Sequence, residues 1–292
     1  MELTILENRL TCDSFEQERS YFLAYLSVKG RKETTIRTYR EALSSVHRTL
    51  LDTGHSGSIR SLTPDDCVQL RDAMTVSETS KKLYLVAVSR LQECFGQDSS
   101  VKKADLLWNR CDHRRLFIRP EDFKVMMTSC DEREKLVMML GAYMGLRRSE
   151  ICSIRLEDVT GNVLTVHGKG HGTEGKVMHM KIPRPVLLAM DGYMRVRTGS
   201  DDHLMLTPDG RPMCSAYLGR LVRRIAKREG ISMTPHSLRR LFATTLYETG
   251  ADLETIRRLM RHNSVTTTVE CYINANPVVQ DNVVDALCAA LA

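Results

Sequence analysis

The stretch from Thr234 to Met260 constrains the chain most, because its sequence is punctuated at both ends and in the middle. Pro235 stands where a helix tolerates proline, in the first turn, and Gly250 stands where a helix stops. Asp252 then serves as an N-cap for a second helix. Leu238, Phe242 and Leu246 recur at four-residue spacing and predict the buried stripe of the first helix. Ile256, Leu259 and Met260 predict that of the second. His236 and Arg239 are three residues apart, so a helix carries both on one face. Arg240 follows, then His262 and finally Tyr272: a concentration of groups able to hold a phosphate.

The same punctuation organises the rest. Ser14 with Gln17 reads as a capping box; Phe15, Phe22 and Leu26 keep helical spacing until Gly30 stops the run. A second helix starts near Thr34, carries Ile36, Tyr39, Leu43, Val46 and Leu50, and ends before Gly54. Thr63-Pro64-Asp65-Asp66 is a cap, a proline at the first position and acids at the positive end of the helix dipole. A fourth helix over about 78–95 predicts Leu83, Val86 and Leu91 as buried, with Lys81, Lys82 and Arg90 exposed. Residues 1–100 therefore read as a helical domain. Residues 101–118 are polar and basic and read as a linker, with Lys102, Lys103, Arg110, Arg114 and Arg115. Arg119-Pro120-Glu121-Asp122 opens a second domain, 119–292, with a helix over Glu132–Met144. Val163–Val166 and Val177–Ile182 predict two strands around a glycine-rich turn, and helices resume at 186–197 and 216–228. The expected fold is mainly α with a small β-hairpin or sheet, in two domains. A tail over 277–292 carries a narrow apolar stripe: Val279, Val283, Leu287 and Leu291.

Composition excludes several classes. No apolar run approaches the roughly 18–20 residues that span a bilayer. The N-terminus lacks the basic and apolar regions of a signal peptide, so a cytoplasmic protein is expected. Nine scattered cysteines form no Cys-x-x-Cys pair, which speaks against zinc or a disulfide framework. No Gly-x-x-x-x-Gly-Lys-Ser/Thr pattern supports nucleotide binding. The net charge of +6 lies entirely beyond residue 100, since the first hundred residues carry 13 Lys and Arg against 14 Asp and Glu. Such an excess is compatible with a polyanion and equally with a mildly basic surface. The basic helix 216–228, with Arg220, Arg223, Arg224, Lys227 and Arg228, is open to the same two readings.

In order along the chain, four segments resemble the tyrosine recombinases, the integrase and Xer class. Gly145-Leu146-Arg147-Arg148-Ser149-Glu150 is similar to the family's first arginine box, and His236-Ser237-Leu238-Arg239 to its His-x-x-Arg box. Leu259-Met260-Arg261-His262 is similar to its Leu-x-Gly-His segment, although Arg261 stands where the family usually has glycine. Val265-Thr266-Thr267-Thr268 then leads to Tyr272. Lys169, within Gly168-Lys169-Gly170, fits the family's hairpin lysine, with Lys176 as second choice; Thr35-Ile36-Arg37-Thr38-Tyr39 fits an element of its core-binding domain.

The resemblance implies a catalytic set of Arg147, Lys169, His236, Arg239, His262 and Tyr272, supported by Glu150. Two arginines would neutralise a phosphodiester, Lys169 would protonate the leaving 5′ oxygen, and Tyr272 would attack. It implies no metal and no cofactor. The implied partner is double-stranded DNA with paired half-sites, bound by a homotetramer. Its tail would link subunits or pack on its own domain. Candidate DNA contacts are Lys29, Arg31, Lys32, Arg37, Lys81, Lys82, Arg148 and Arg240. The expected function is site-specific recombination through a 3′-phosphotyrosyl intermediate, for integration and excision of a mobile element or for Xer-like dimer resolution. The alternatives are type IB topoisomerase-like relaxation and a DNA-binding protein without chemistry.

Overall fold

The computed structural model describes residues 14–55, 58–104, 106, 118–168 and 177–262. The chain divides into two compact units, 1–113 and 114–292. The fold is mainly α with one small sheet, as expected.

The first unit is helical: α1 (Phe15–Val28), α2 (Glu33–Asp52), α3 (Pro64–Ala73), α4 (Glu78–Cys94) and the single turn α5 (Ser100–Lys103). Its boundaries follow side-chain chemistry. Ser14 and Gln17 close a reciprocal capping box on α1, and Thr63 and Asp66 close one on α3. Gly30 takes a left-handed φ of 67° between α1 and α2. Phe22, Leu43, Val46 and Leu91 form the centre of the core. One expected stripe is corrected in part: Leu91 is buried as expected, but Leu83 and Val86 are 38% and 45% exposed, and α4 buries Leu85 and Val88 in their place. Both faces of α4 are apolar, so the spacing alone fits either, and packing against α1 and α2 selects the second. Part of the basic stretch after residue 100 is folded. Ser99 caps α5, the Gln92 carboxamide bonds Leu62 and Ser100, and Val101, Ala104 and Leu106 pack on the core.

The second unit is built around α7 (Glu132–Met144). It follows α6 (Pro120–Thr128) and precedes α8 (Arg148–Ser153), the three-stranded sheet, α9 (Arg184–Val196), α10 (Ser215–Arg228), α11 (Pro235–Glu248) and α12 (Leu253–Leu259). In α7, Leu136, Val137, Met138, Leu140 and Met144 are all buried, so the helix is apolar nearly all round and sits inside the unit. Gly141 lets α11 approach, since a Cβ there would lie 2.9 Å from the Cβ of Leu238. Glu134 in α7 accepts from Arg228 at 2.5 Å and so ties α10 to the same helix.

The sheet runs β1 (Val159–Thr160), β2 (Val163–His167) and β3 (Val177–Lys181), all antiparallel, with Thr165 opposite His179. Its two-residue first strand carries no legible pattern, and the sequence predicts only the other two. On α11, Leu238 is buried as expected, whereas Phe242 and Leu246 are half-buried in a small satellite cluster with Ile256 and Met260. Among the described residues no helix is long and apolar enough to cross a membrane.

Candidate active site

Two turns and one buried arginine build the site. The first turn joins α7 to α8. Gly145 takes a left-handed φ of 57° and its N–H donates to the Leu140 carbonyl, ending α7. A side chain there would meet the Phe242 ring at 2.5 Å. Leu146 is buried and anchors the turn. Arg147 is the N-cap of α8, and its backbone N–H donates to Glu150 Oε2 at 2.8 Å. Arg147 Nη1 donates to Glu150 Oε1 at 2.7 Å. Glu150 is therefore a helix cap and an ion-pair partner at once, and it is only 4% exposed. The spacing Gly-Leu-Arg-x-x-Glu is a folding unit that leaves the Arg147 guanidinium half-exposed on a fixed support.

The second turn ends α12. Arg261 N–H donates to the Arg258 carbonyl at 2.9 Å and His262 N–H to the Arg257 carbonyl at 3.0 Å, a nested pair that requires a left-handed residue. Arg261 supplies it with φ 54°, as the one non-glycine residue of positive φ among those described. Its side chain turns inward and is 9% exposed. Nη2 donates to Glu150 Oε2 at 2.7 Å and to the Gly145 carbonyl at 2.9 Å; Nη1 donates to the Leu259 carbonyl at 2.9 Å. The Arg261 carbonyl in turn accepts from Arg147 Nη2 at 2.9 Å.

Arg239 joins the two turns. It lies on α11 at 1% exposure, and its Nη1 and Nη2 donate to the Gly145 and Met260 carbonyls. His236 stands one turn earlier on the same helix and is exposed. His262 is buried at the close of the second turn, and its carbonyl accepts from Arg257 Nη1 at 2.8 Å.

The electrostatics follow from this packing. Burial lowers the pKa of His262 from 6.5 to about 4, and the nearby charges of Arg239, Arg147, His236 and Arg261 push the same way. Burial alone would raise the Glu150 carboxyl, but Arg261 and the bonds from Arg147 outweigh it and hold it below its usual range. Burial lowers the Arg261 pKa against the pull of Glu150. With His262 neutral, three guanidiniums, those of Arg147, Arg239 and Arg261, stand in the pocket against the one carboxylate of Glu150, which bonds Arg147 and Arg261, so the pocket is strongly cationic.

His262 makes a direct test of this environment. The unfolded chain binds a proton near pH 6.5, while the folded site refuses it until about pH 4. Stability is therefore complete above 6.5 and falls as pH drops through that window. Thermal melts of wild type between pH 7.5 and 4.5 should show the fall, and the His262→Gln variant should flatten it.

The structure brings together Arg147, Glu150, His236, Arg239 and His262 from three separate segments. Lys169 and Tyr272 lie outside the described residues, as does the tail. The DNA-contact candidates are scattered. Lys29, over the Tyr25 ring at 5.7 Å, Arg31 and Lys32 are exposed around the Gly30 turn. Arg37 is exposed on α2, 3.9 Å from Glu41. Lys81 and Lys82 are half-buried on α4, with Lys81 paired to Glu78 at 3.3 Å. Arg148 is exposed beside Gly219 of α10, and Arg240 is half-buried on α11. Arg261 was visible in the sequence only as a departure from glycine; nothing there shows that its side chain enters the cluster.

A helical unit packed around one buried helix, with a small three-stranded sheet and guanidiniums from distant segments converging beside that helix, has the fold of a tyrosine-recombinase catalytic domain. The chain belongs to the phage integrase family, which residues 117–278 match, and is thereby a tyrosine-type site-specific recombinase. It is 28% identical over 257 residues to tyrosine recombinase XerA of Pyrococcus furiosus, covering 85% of this chain and 86% of that one. Its fold is similar to that of a lambda integrase tetramer bound to a Holliday junction, with TM-score 0.72 and 17% identity over 89% of this chain and 78% of the other. It is equally similar to the Tn1549 transposon integrase in complex with transposon right end DNA, with TM-score 0.72 and 17% identity over 93% and 99%.

Proposed function

We propose that this chain cuts and rejoins duplex DNA at paired half-sites through a 3′-phosphotyrosyl intermediate on Tyr272. The observation that carries the reading is the convergence of Arg147, Arg239 and His262 across more than a hundred residues of sequence. Arg147 reaches the carbonyl of Arg261, 114 positions away. Among the described residues Arg147 commits Nη1 and Nη2 to one bond each, so its other N–H bonds are placed to serve a phosphate. Arginine suits this task because its fork matches phosphate oxygens and stays charged at any physiological pH.

In this mechanism Tyr272 Oη attacks the scissile phosphorus and the P–O5′ bond breaks. His236 takes the phenol proton, and Lys169 gives a proton to the departing 5′ oxygen. The transition state carries more negative charge than the ground state, so the arginines favour it selectively. His262, neutral when the site is empty, regains basicity beside the phosphate and adds a hydrogen bond. The phosphotyrosyl bond conserves the energy of the phosphodiester, so a 5′ hydroxyl from a second duplex can reverse the step without ATP.

Assembly as a tetramer is supported by the similarity to lambda integrase, whose structure is of a tetramer on a Holliday junction. The exposed basic face of α10, with Arg220, Arg223 and Lys227, suits the phosphate backbone of bound DNA. The relatives include both Xer recombinases and a transposon integrase, so chromosome dimer resolution and mobile-element transfer both belong to this reading.

The test is a map of covalent adducts in the native cell. Protein is isolated under denaturing conditions without crosslinker, and the attached DNA is sequenced for wild type and Tyr272→Phe. Adducts at one or a few loci in wild type, absent in the variant, are expected. Dispersed adducts would indicate topoisomerase-like relaxation instead. DNA occupancy without adducts in either protein would leave a DNA-binding protein without chemistry.

A further inference from the structure

Arg261 occupies a position that glycine would fill at lower cost. Its left-handed backbone is strained for a side chain. Its guanidinium is almost wholly buried, and its Nε has no hydrogen-bond acceptor among the described residues. A residue with those costs is retained in a folded site when its side chain does something there.

What it does is legible in its partners. The carboxylate of Glu150 is divided: Oε1 takes Arg147 Nη1, while Oε2 takes the Arg147 backbone N–H and Arg261 Nη2. The Gly145 carbonyl is likewise shared between Arg239 and Arg261. Arg261 thus contacts both of the groups that orient the two outer arginines. Its own carbonyl receives Arg147 Nη2. Its charge offsets that of Glu150, so the support that orients Arg147 does not cancel the field of the pocket.

We propose that Arg261 is a positioning residue of the arginine cluster, which holds Arg147 through Glu150 and Arg239 through the Gly145 carbonyl and keeps the pocket's positive charge undiminished. The proposal rests on the reading of Arg147 and Arg239 as the phosphate clamp. It differs from a packing role in one respect: a glycine at this turn would relieve the backbone yet slow the chemistry.

The full-length chain is compared with Arg261→Met, Arg261→Lys and Arg261→Gly. The first readout needs no DNA. Urea unfolding of wild type, Glu150→Gln, Arg261→Met and the double variant should give a coupling of at least about fivefold in the unfolding equilibrium. The second is single-turnover adduct formation on the DNA recovered with wild type, with affinity for the same DNA measured separately. Arg261→Met and Arg261→Gly should each slow adduct formation at least about tenfold while Kd stays within about threefold. Arg261→Lys, with the charge but not the fork, should recover part of the rate.

A glycine variant with the wild-type rate would overturn the proposal, as would a loss that follows Kd alone. Were wild type itself to form no adduct, the recombination reading would fall, and the unfolding cycle would decide: no coupling overturns the shared carboxylate, and coupling sustains it.

Discussion

Replacing Arg239 with leucine is expected to remove strand cleavage and most of the rigidity of the site together. The side chain is 1% exposed, and its two terminal nitrogens hold the carbonyls that end α7 and α12. Leucine fills part of the volume but donates nothing. The Gly145 carbonyl keeps Arg261 as a donor, whereas the bond to the Met260 carbonyl is lost. One buried carbonyl without its donor, plus the lost packing, predicts a destabilisation of about 2–4 kcal/mol in urea unfolding. The chemical loss should be larger. Removing one preorganised donor to a developing oxyanion costs about 100- to 1000-fold, and Arg239 supplies a charge as well. The conservative Arg239→Lys variant separates the two effects. A lysine keeps the charge on a flexible stem and cannot bridge two carbonyls, so it should remain poorly active although it stays cationic. Adduct formation by Arg239→Lys at the wild-type rate would remove Arg239 from the clamp.

How much of this was legible beforehand depends on where the information lies. The box from Gly145 to Glu150 is readable because each residue type serves a local need: a left-handed turn, an anchor, an N-cap and a carboxylate three residues on. His236 and Arg239 are readable for the same reason, since a helix fixes their relation. The capping boxes at Ser14 and Thr63 are local too. What the sequence conceals is the role of backbone carbonyls. Gly145, Met260 and Arg261 each accept a guanidinium through the main chain, and main-chain acceptors have no residue-type signature. The buried face of α4 is ambiguous in the sequence for a related reason. Leu83, Leu85, Val86 and Val88 offer two apolar stripes, and only the neighbouring helices decide between them. Arg261 was conspicuous as a letter, but its consequence depended on a left-handed turn that sends the side chain back toward Glu150.

Truncating Glu150 to alanine should be the most destabilising single change in the site. Its carboxylate is 3% exposed and serves two guanidiniums and one backbone N–H. Alanine leaves Arg261 buried beside an empty space with its charge uncompensated, and breaking one side of a buried pair in this way costs about 3–5 kcal/mol. The pH dependence has a definite sign. The neighbouring arginines hold the carboxyl below its usual range, so Glu150 contributes stability above that range and loses it as pH falls. Wild type should therefore lose stability steeply in acid, below the window in which His262 acts, and Glu150→Ala should be weaker at neutral pH and flatter in acid. Glu150→Gln isolates the electrostatic part. It removes a negative charge from a cationic pocket, so affinity for DNA should hold or rise at low salt. Cleavage should nevertheless slow at least about tenfold, because an amide cannot accept from Arg147 and Arg261 on both sides and Arg147 loses its orientation. Tighter binding with slower chemistry would place Glu150 in the support of the transition state; a parallel gain or loss in both would reduce it to a bulk charge.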